Sequence, residues 1–128
     1  MKNLICIISG EPNSINSEII GKVLKMKKKF NRQNFFIIGN YKLIKKQFDQ
    51  LKSNIKLKKI IRIDNYDFAK NNFVLDVPLE FKNPFKVPIK NKRSYIMNCF
   101  KIAIDLAKKK KVAGFINCPI NKFETFGL

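Results

Sequence analysis

Asn3-Leu4-Ile5-Cys6-Ile7-Ile8-Ser9-Gly10-Glu11-Pro12-Asn13-Ser14-Ile15-Asn16-Ser17-Glu18 opens the chain with an apolar run that breaks at a glycine and then turns polar. An uninterrupted apolar run of this length suits a strand covered on both faces within a parallel sheet. Gly10 permits a tight exit from that strand. Asn16 is a good N-cap, and Glu18 falls in the first helical turn, where the helix dipole favours a carboxylate. A similar passage closes the chain. Val112 to Asn117 predicts a final buried strand, and Cys118-Pro119-Ile120-Asn121-Lys122 leads from its end towards a short helix over Pro119 to Phe126. Turns from strand ends into helix N-termini are where open α/β sheets place their ligand sites.

The intervening sequence alternates in the same way. Ile19, Val23, Met26 and Phe30, widened by Ile20 and Leu24, predict an amphipathic helix that ends in the solvated run Lys27-Lys28-Lys29. Phe35 to Ile38 predicts a short buried strand closed by Gly39. Tyr41 to Leu51 predicts a helix with Leu43, Ile44, Phe48 and Leu51 inward. Leu57 to Ile63 and Phe73 to Val77 read as strands, and Pro78, Pro84 and Pro88 then enforce an extended segment. Lys92 to Lys110 is the longest predicted helix. It carries Tyr95, Ile96, Cys99, Ile102, Ala103 and Leu106 on one face and a solvated Lys108 to Lys111 end. Strands alternating with helices predict an α/β fold, a three-layer sheet with βαβ crossovers. All 128 residues fall in one unit with no internal boundary.

Composition narrows the function. Lys and Arg total 27 against 9 acids, a formal charge of +18, which raises nucleic-acid binding as a candidate. Only Arg32, Arg62 and Arg93 are arginine, however, and phosphate and base recognition favours arginine's planar fork. A lysine-rich solvated surface accounts better for the charge. No apolar run is long enough to span a membrane, and Met1 to Ile8 lacks the length and cleavage site of a signal peptide, so a cytoplasmic protein is expected. Cys6, Cys99 and Cys118 are odd in number and widely spaced, which supports neither a disulfide framework nor a zinc motif. The chain has no histidine, so it can form neither a Cys–His nucleophile nor an imidazole metal site by itself.

The candidate cleft-lining residues are Gly10, Glu11, Glu18, Asn117, Asn121 and Lys122. Glu11 and Glu18 could project into a cleft, Asn121 could fix a hydroxyl or amide, and Lys122 could pair with a phosphate or carboxylate. The same residues also suit plain βα turns, with Asn117 as a cap, Pro119 as first helical residue and Lys122 as a surface cation. Neither a Gly-x-Gly-x-x-Gly fingerprint nor a P-loop occurs.

Together the two segments resemble the N-terminal part of the 4-hydroxythreonine-4-phosphate dehydrogenase family of pyridoxal phosphate biosynthesis. That family begins with a strand running into Gly-Asp/Glu-Pro-Ala-Gly-Ile-Gly-Pro-Glu, and later carries a strand running into Thr-x-Pro-Ile-Asn-Lys. The counterparts are Gly10 to Glu18 and Asn117 to Lys122, with Ile37-Ile38-Gly39 and Val74-Leu75-Asp76-Val77 in order between them. Ser14 and Asn16 stand where the family has glycines. The resemblance covers the whole chain but only about the first third of the family's length. It implies an isocitrate/isopropylmalate-dehydrogenase-like fold, incomplete here. It also implies a homodimer using NAD and a divalent metal to oxidise a small phosphorylated substrate, 4-phosphohydroxy-L-threonine, with decarboxylation. A relative acting on a four-carbon sugar acid phosphate is the alternative within the family, and a small basic nucleic-acid-binding protein the alternative outside it. The family's His-Thr-Glu motif and metal-binding histidines do not occur in this chain, so no catalytic residue or metal ligand is assigned, and the 128 residues alone are expected to be inactive.

Overall fold

A computed structural model describes residues 3–30 and 34–127, apart from the side chains of residues 28 and 30. Five strands, β1 (Leu4–Ile8), β2 (Asn34–Gly39), β3 (Lys58–Ile60), β4 (Phe73–Asp76) and β5 (Gly114–Asn117), form one sheet in the order β3-β4-β2-β1-β5. Every pairing is parallel, with Ile8 facing Ile38 on one side and Asn117 on the other. Helices α1 (Asn16–Lys25) and α2 (Tyr41–Gln50) cover one face, and α3 (Ile89–Lys108) the other, where the short α4 (Lys122–Phe126) packs on α3. The expected α/β sandwich of helices on both faces of a parallel sheet is therefore present.

Alternation along the central strands divides the core in two. Cys6, Ile8, Phe36 and Ile38 turn towards Tyr95, Ile96, Cys99 and Ala103 of α3. Phe35, Ile37 and Val74 turn towards Ile20, Leu24, Ile44 and Phe48 of α1 and α2. Burying side chains of this size contributes roughly 1.5–3 kcal/mol each, which makes the two layers the main source of stability.

Several elements differ from the sequence expectation. The inward face of α1 is Asn16, Ser17, Ile20, Gly21 and Leu24, whereas Ile19 and Met26 are largely exposed. Gly21 faces α2: a Cβ there would meet the Phe48 ring at 3.7 Å, an ordinary van der Waals contact. Phe30, expected on that stripe, lies outside the described side chains. Leu51 ends α2 on its exposed side. The strand expected over Leu57 to Ile63 shortens to three residues at the sheet edge, and α3 begins three residues earlier than expected, directly after Pro88. The final strand is not buried. β5 is the opposite edge of the sheet, and Ile116 is 58% exposed.

Lys27 is also not a solvated helix end. It is buried in the turn after α1, where its Nζ donates to the Asn71 carbonyl at 2.7 Å and lies 4.8 Å from the Phe35 ring centroid. Burial pushes its pKa down to about 8, against the attraction of Asp67.

Candidate functional site

Because β1 and β5 are neighbours and parallel, the loops leaving Ile8 and Asn117 emerge at the same rim of the sheet. Glu11 N donates to the Pro119 carbonyl at 3.0 Å, and Asn16 Nδ2 donates to the same oxygen at 2.8 Å. Gly10 makes this approach possible. Its φ is +75°, and a Cβ there would fall 2.7 Å from both the Cys118 and Pro119 carbonyl oxygens. The two segments singled out in the sequence are thus one structural unit.

Ser14 and Asn16 contribute to that unit through their side chains. Ser14 Oγ donates to the Glu11 carbonyl at 2.6 Å and accepts from Asn16 N at 3.1 Å. Asn16 is not the N-cap of α1, as expected, but its first residue, and Ile15 occupies the cap position without a side-chain bond. Asn16 is buried because its amide is drawn to the Pro119 carbonyl.

Glu11 turns inward rather than into an open cleft. It is 8% exposed, and its Oε2 accepts from Lys92 Nζ at 2.9 Å and from Asn13 N at 3.1 Å. Lys92, 2% exposed on the inner face of α3, also donates to Glu124 Oε2 of α4 at 2.5 Å. Burial alone would lower the Lys92 pKa, but hydrogen bonds and opposite charge from Glu124 and Glu11 outweigh it and raise the value. The ion triad joins the β1 loop, α3 and α4. Beside it, a void of about 10 Å³ is lined by Glu11, Asn16 and Ser17, and is far too small for a substrate.

The other expected residues lie around this closed junction. Asn121, rather than Asn117, caps the last helix: its side chain accepts from Glu124 N at 3.0 Å, and α4 starts at Lys122 instead of Pro119. Lys122 and Asn117 are exposed on the same rim. Glu18 does not join them. It is exposed on α1 with Lys22 Nζ at 3.9 Å, one helical turn away. Cys118 is half-buried, and burial raises its thiol pKa, as it raises those of Cys6 to about 11 and Cys99 to about 12.

Lys92, Glu124, Asn13 and Gln47, which hold the junction, are not among the candidate residues read from the sequence. Asn13 makes a reciprocal pair with the Val87 backbone, at 2.9 and 2.7 Å, and Gln47 Nε2 donates to the Pro12 and Pro84 carbonyls at 2.9 and 2.7 Å. A signal existed for Lys92 alone. It lies three and four residues before Tyr95 and Ile96, on the same helical stripe.

The parallel five-stranded sheet with helices on both faces has the α/β fold of solved isocitrate/isopropylmalate-dehydrogenase-like structures. Within that class the chain resembles the 4-hydroxythreonine-4-phosphate dehydrogenases. The structure of one from Burkholderia phymatum matches 97% of this chain at a TM-score of 0.84 and 18% identity. A candidate 4-hydroxythreonine-4-phosphate dehydrogenase from Salmonella typhimurium matches 97% at 0.78 and 26% identity, and the enzyme from Klebsiella pneumoniae 95% at 0.75 and 22%. The chain spans only 38%, 39% and 38% of those three structures. No protein-family model and no curated protein sequence matches it.

Proposed function

We propose that this chain is the N-terminal portion of an NAD- and divalent-metal-dependent dehydrogenase that oxidises 4-phosphohydroxy-L-threonine with decarboxylation, in pyridoxine phosphate biosynthesis. The observation that carries the proposal is the likeness of essentially the whole chain to three such structures, with its two motif segments meeting at one sheet rim. All 128 residues would belong to one larger domain of a cytoplasmic, homodimeric enzyme. Among the described residues, no helix is long and apolar enough to cross a membrane. Gly10, Glu11, Asn117, Asn121 and Lys122 form or border one wall of the site in this proposal, with Lys122 and Asn117 the groups free to meet a ligand. Glu18 is left with a surface role.

The metal does not fit this chain alone. The sequence has no histidine, and among the described residues no three His, Cys, Asp or Glu side chains are grouped to hold a cation. Metal ligands would come from elsewhere in the enzyme, and the 128 residues alone would not turn over.

The test is the gene beyond codon 128. The expected continuation carries a His-Thr-Glu motif and further histidines, and the continued polypeptide forms NADH from 4-phosphohydroxy-L-threonine with a divalent metal, whereas residues 1–128 do not. Turnover by residues 1–128 would overturn the inactivity. A metal-replete continued chain that leaves NAD unreduced with this substrate, but reduces it with a four-carbon sugar acid phosphate, would move the assignment to that relative.

A further inference from the structure

Among the described residues, four buried side-chain oxygens have no hydrogen-bond partner: Glu11 Oε1, Ser17 Oγ, Ser53 Oγ and Thr125 Oγ1. Two of them, Glu11 Oε1 and Ser17 Oγ, belong to residues that line the same void, the space of about 10 Å³ beside the ion triad. Glu11 is 8% exposed and Ser17 5%, so bulk water serves neither group. A buried polar atom without a partner costs free energy, and folded proteins leave few of them.

The other polar side chains around the void are already engaged. Ser9 Oγ pairs with the Tyr95 hydroxyl at 2.9 Å, Asn16 Nδ2 donates to the Pro119 carbonyl, and Gln47 Nε2 donates to the Pro12 and Pro84 carbonyls. Ile20, Leu43 and Ile44 supply the apolar part of the wall. Glu11 uses Oε2 for both of its contacts, with Lys92 Nζ and Asn13 N, which leaves Oε1 as an acceptor. Ser17 Oγ can donate as well as accept. A space of roughly 10–15 Å³ is enough for one water, and a buried water is held by about two to four polar partners. Volume and partners therefore match a single water molecule and nothing larger.

We infer that this void is a hydration site, in which one water donates to Glu11 Oε1 and pairs with Ser17 Oγ. The ion triad already joins the β1 loop, α3 and α4, and the water extends that network to Ser17 in the first turn of α1. The inference rests on volume and hydrogen bonding, and stands whether or not the chain belongs to a dehydrogenase.

Crystals of the 128-residue chain at atomic resolution are expected to show one peak of water density in the void, at about 2.7–3.0 Å from both oxygens. An empty void would overturn the site, and so would a direct Ser17–Glu11 hydrogen bond. Crystals grown in rubidium chloride separate water from a cation. An anomalous peak in the void would make the occupant a monovalent ion and overturn the assignment to water. Ser17→Ala removes one of the two side-chain partners and places a strong helix former in α1, so the variant should fold. Its crystals are expected to lose the peak, and a peak of unchanged occupancy would overturn the role of Ser17.

Discussion

Lys92 Nζ lies 2.9 Å from Glu11 Oε2, although 81 positions separate the two residues and both are buried. Glu124 Oε2 contacts the same ammonium, so one cation serves two carboxylates at the place where the first and last motifs meet.

Removing that cation leaves buried, uncompensated negative charge. Lys92→Met is expected to destabilise the fold by about 3–5 kcal/mol, the range for breaking one side of a buried pair. Urea unfolding measures it, and a loss under about 1 kcal/mol would mean that the carboxylates are solvated. The pH dependence follows from the raised Lys92 pKa. The pair's contribution is fully present below the ordinary lysine value of 10.5, and is lost as pH climbs through the higher folded value.

Gly10 and Gly114 offer a matched comparison. An alanine at Gly10 would meet two carbonyl oxygens at 2.7 Å in a backbone with φ +75°, whereas nothing lies within 4 Å of a Cβ at Gly114. Gly10→Ala should cost about 2 kcal/mol or more, from left-handed strain together with the clash. Gly114→Ala should be neutral or slightly stabilising, because it only removes chain freedom in a strand. Thermal melts of the two variants decide it, and equal midpoints would refute the close approach of the two loops.

Lys27 should produce a rise in stability between about pH 8 and pH 10.5. Its folded pKa is lowered by burial to about 8, so over that window the unfolded chain binds more protons than the folded one. The gain is on the order of 2 kcal/mol. The Cys6 and Cys99 thiols, pushed up by burial to about 11 and about 12, lose stability over the same window in either chain, so the Lys27 contribution is read as a difference. By denaturant unfolding, the stability of the unchanged chain minus that of Lys27→Met should be about 2 kcal/mol more favourable at pH 10 than at pH 7.5, and an equal difference at the two pH values would refute the burial effect.

Much of the architecture was legible because local pattern and tertiary role coincide. The apolar runs at Leu4–Ile8 and Phe35–Ile38 are central strands, and Tyr95, Ile96, Cys99 and Ala103 line the inner face of α3 as their spacing predicts. Apolar periodicity failed on α1, where the polar Asn16 and Ser17 and the side-chain-less Gly21 share the buried stripe with Ile20 and Leu24. It failed again at Lys27 and Lys92, whose burial depends on partners dozens of residues away. At the candidate site, both segments were legible as strand exits towards helix starts, and the pairing of β1 with β5 brings Gly10 against Pro119. The inward turn of Glu11 was not legible, since a carboxylate at a strand exit gives no sign of whether a lysine awaits it.

The unpaired flank of β5 has a practical consequence for anyone handling these 128 residues. Among the described residues β5 pairs on one side alone, and an edge beside an Ile116 that is 58% exposed, with Phe123 69% exposed nearby in sequence, can template the addition of strands from other copies. Mutual repulsion among copies carrying +18 opposes such stacking, and ionic strength weakens that repulsion. Dilute buffer should therefore keep the polypeptide dispersed, and concentrated salt should bring it out of solution as sheet-rich aggregate.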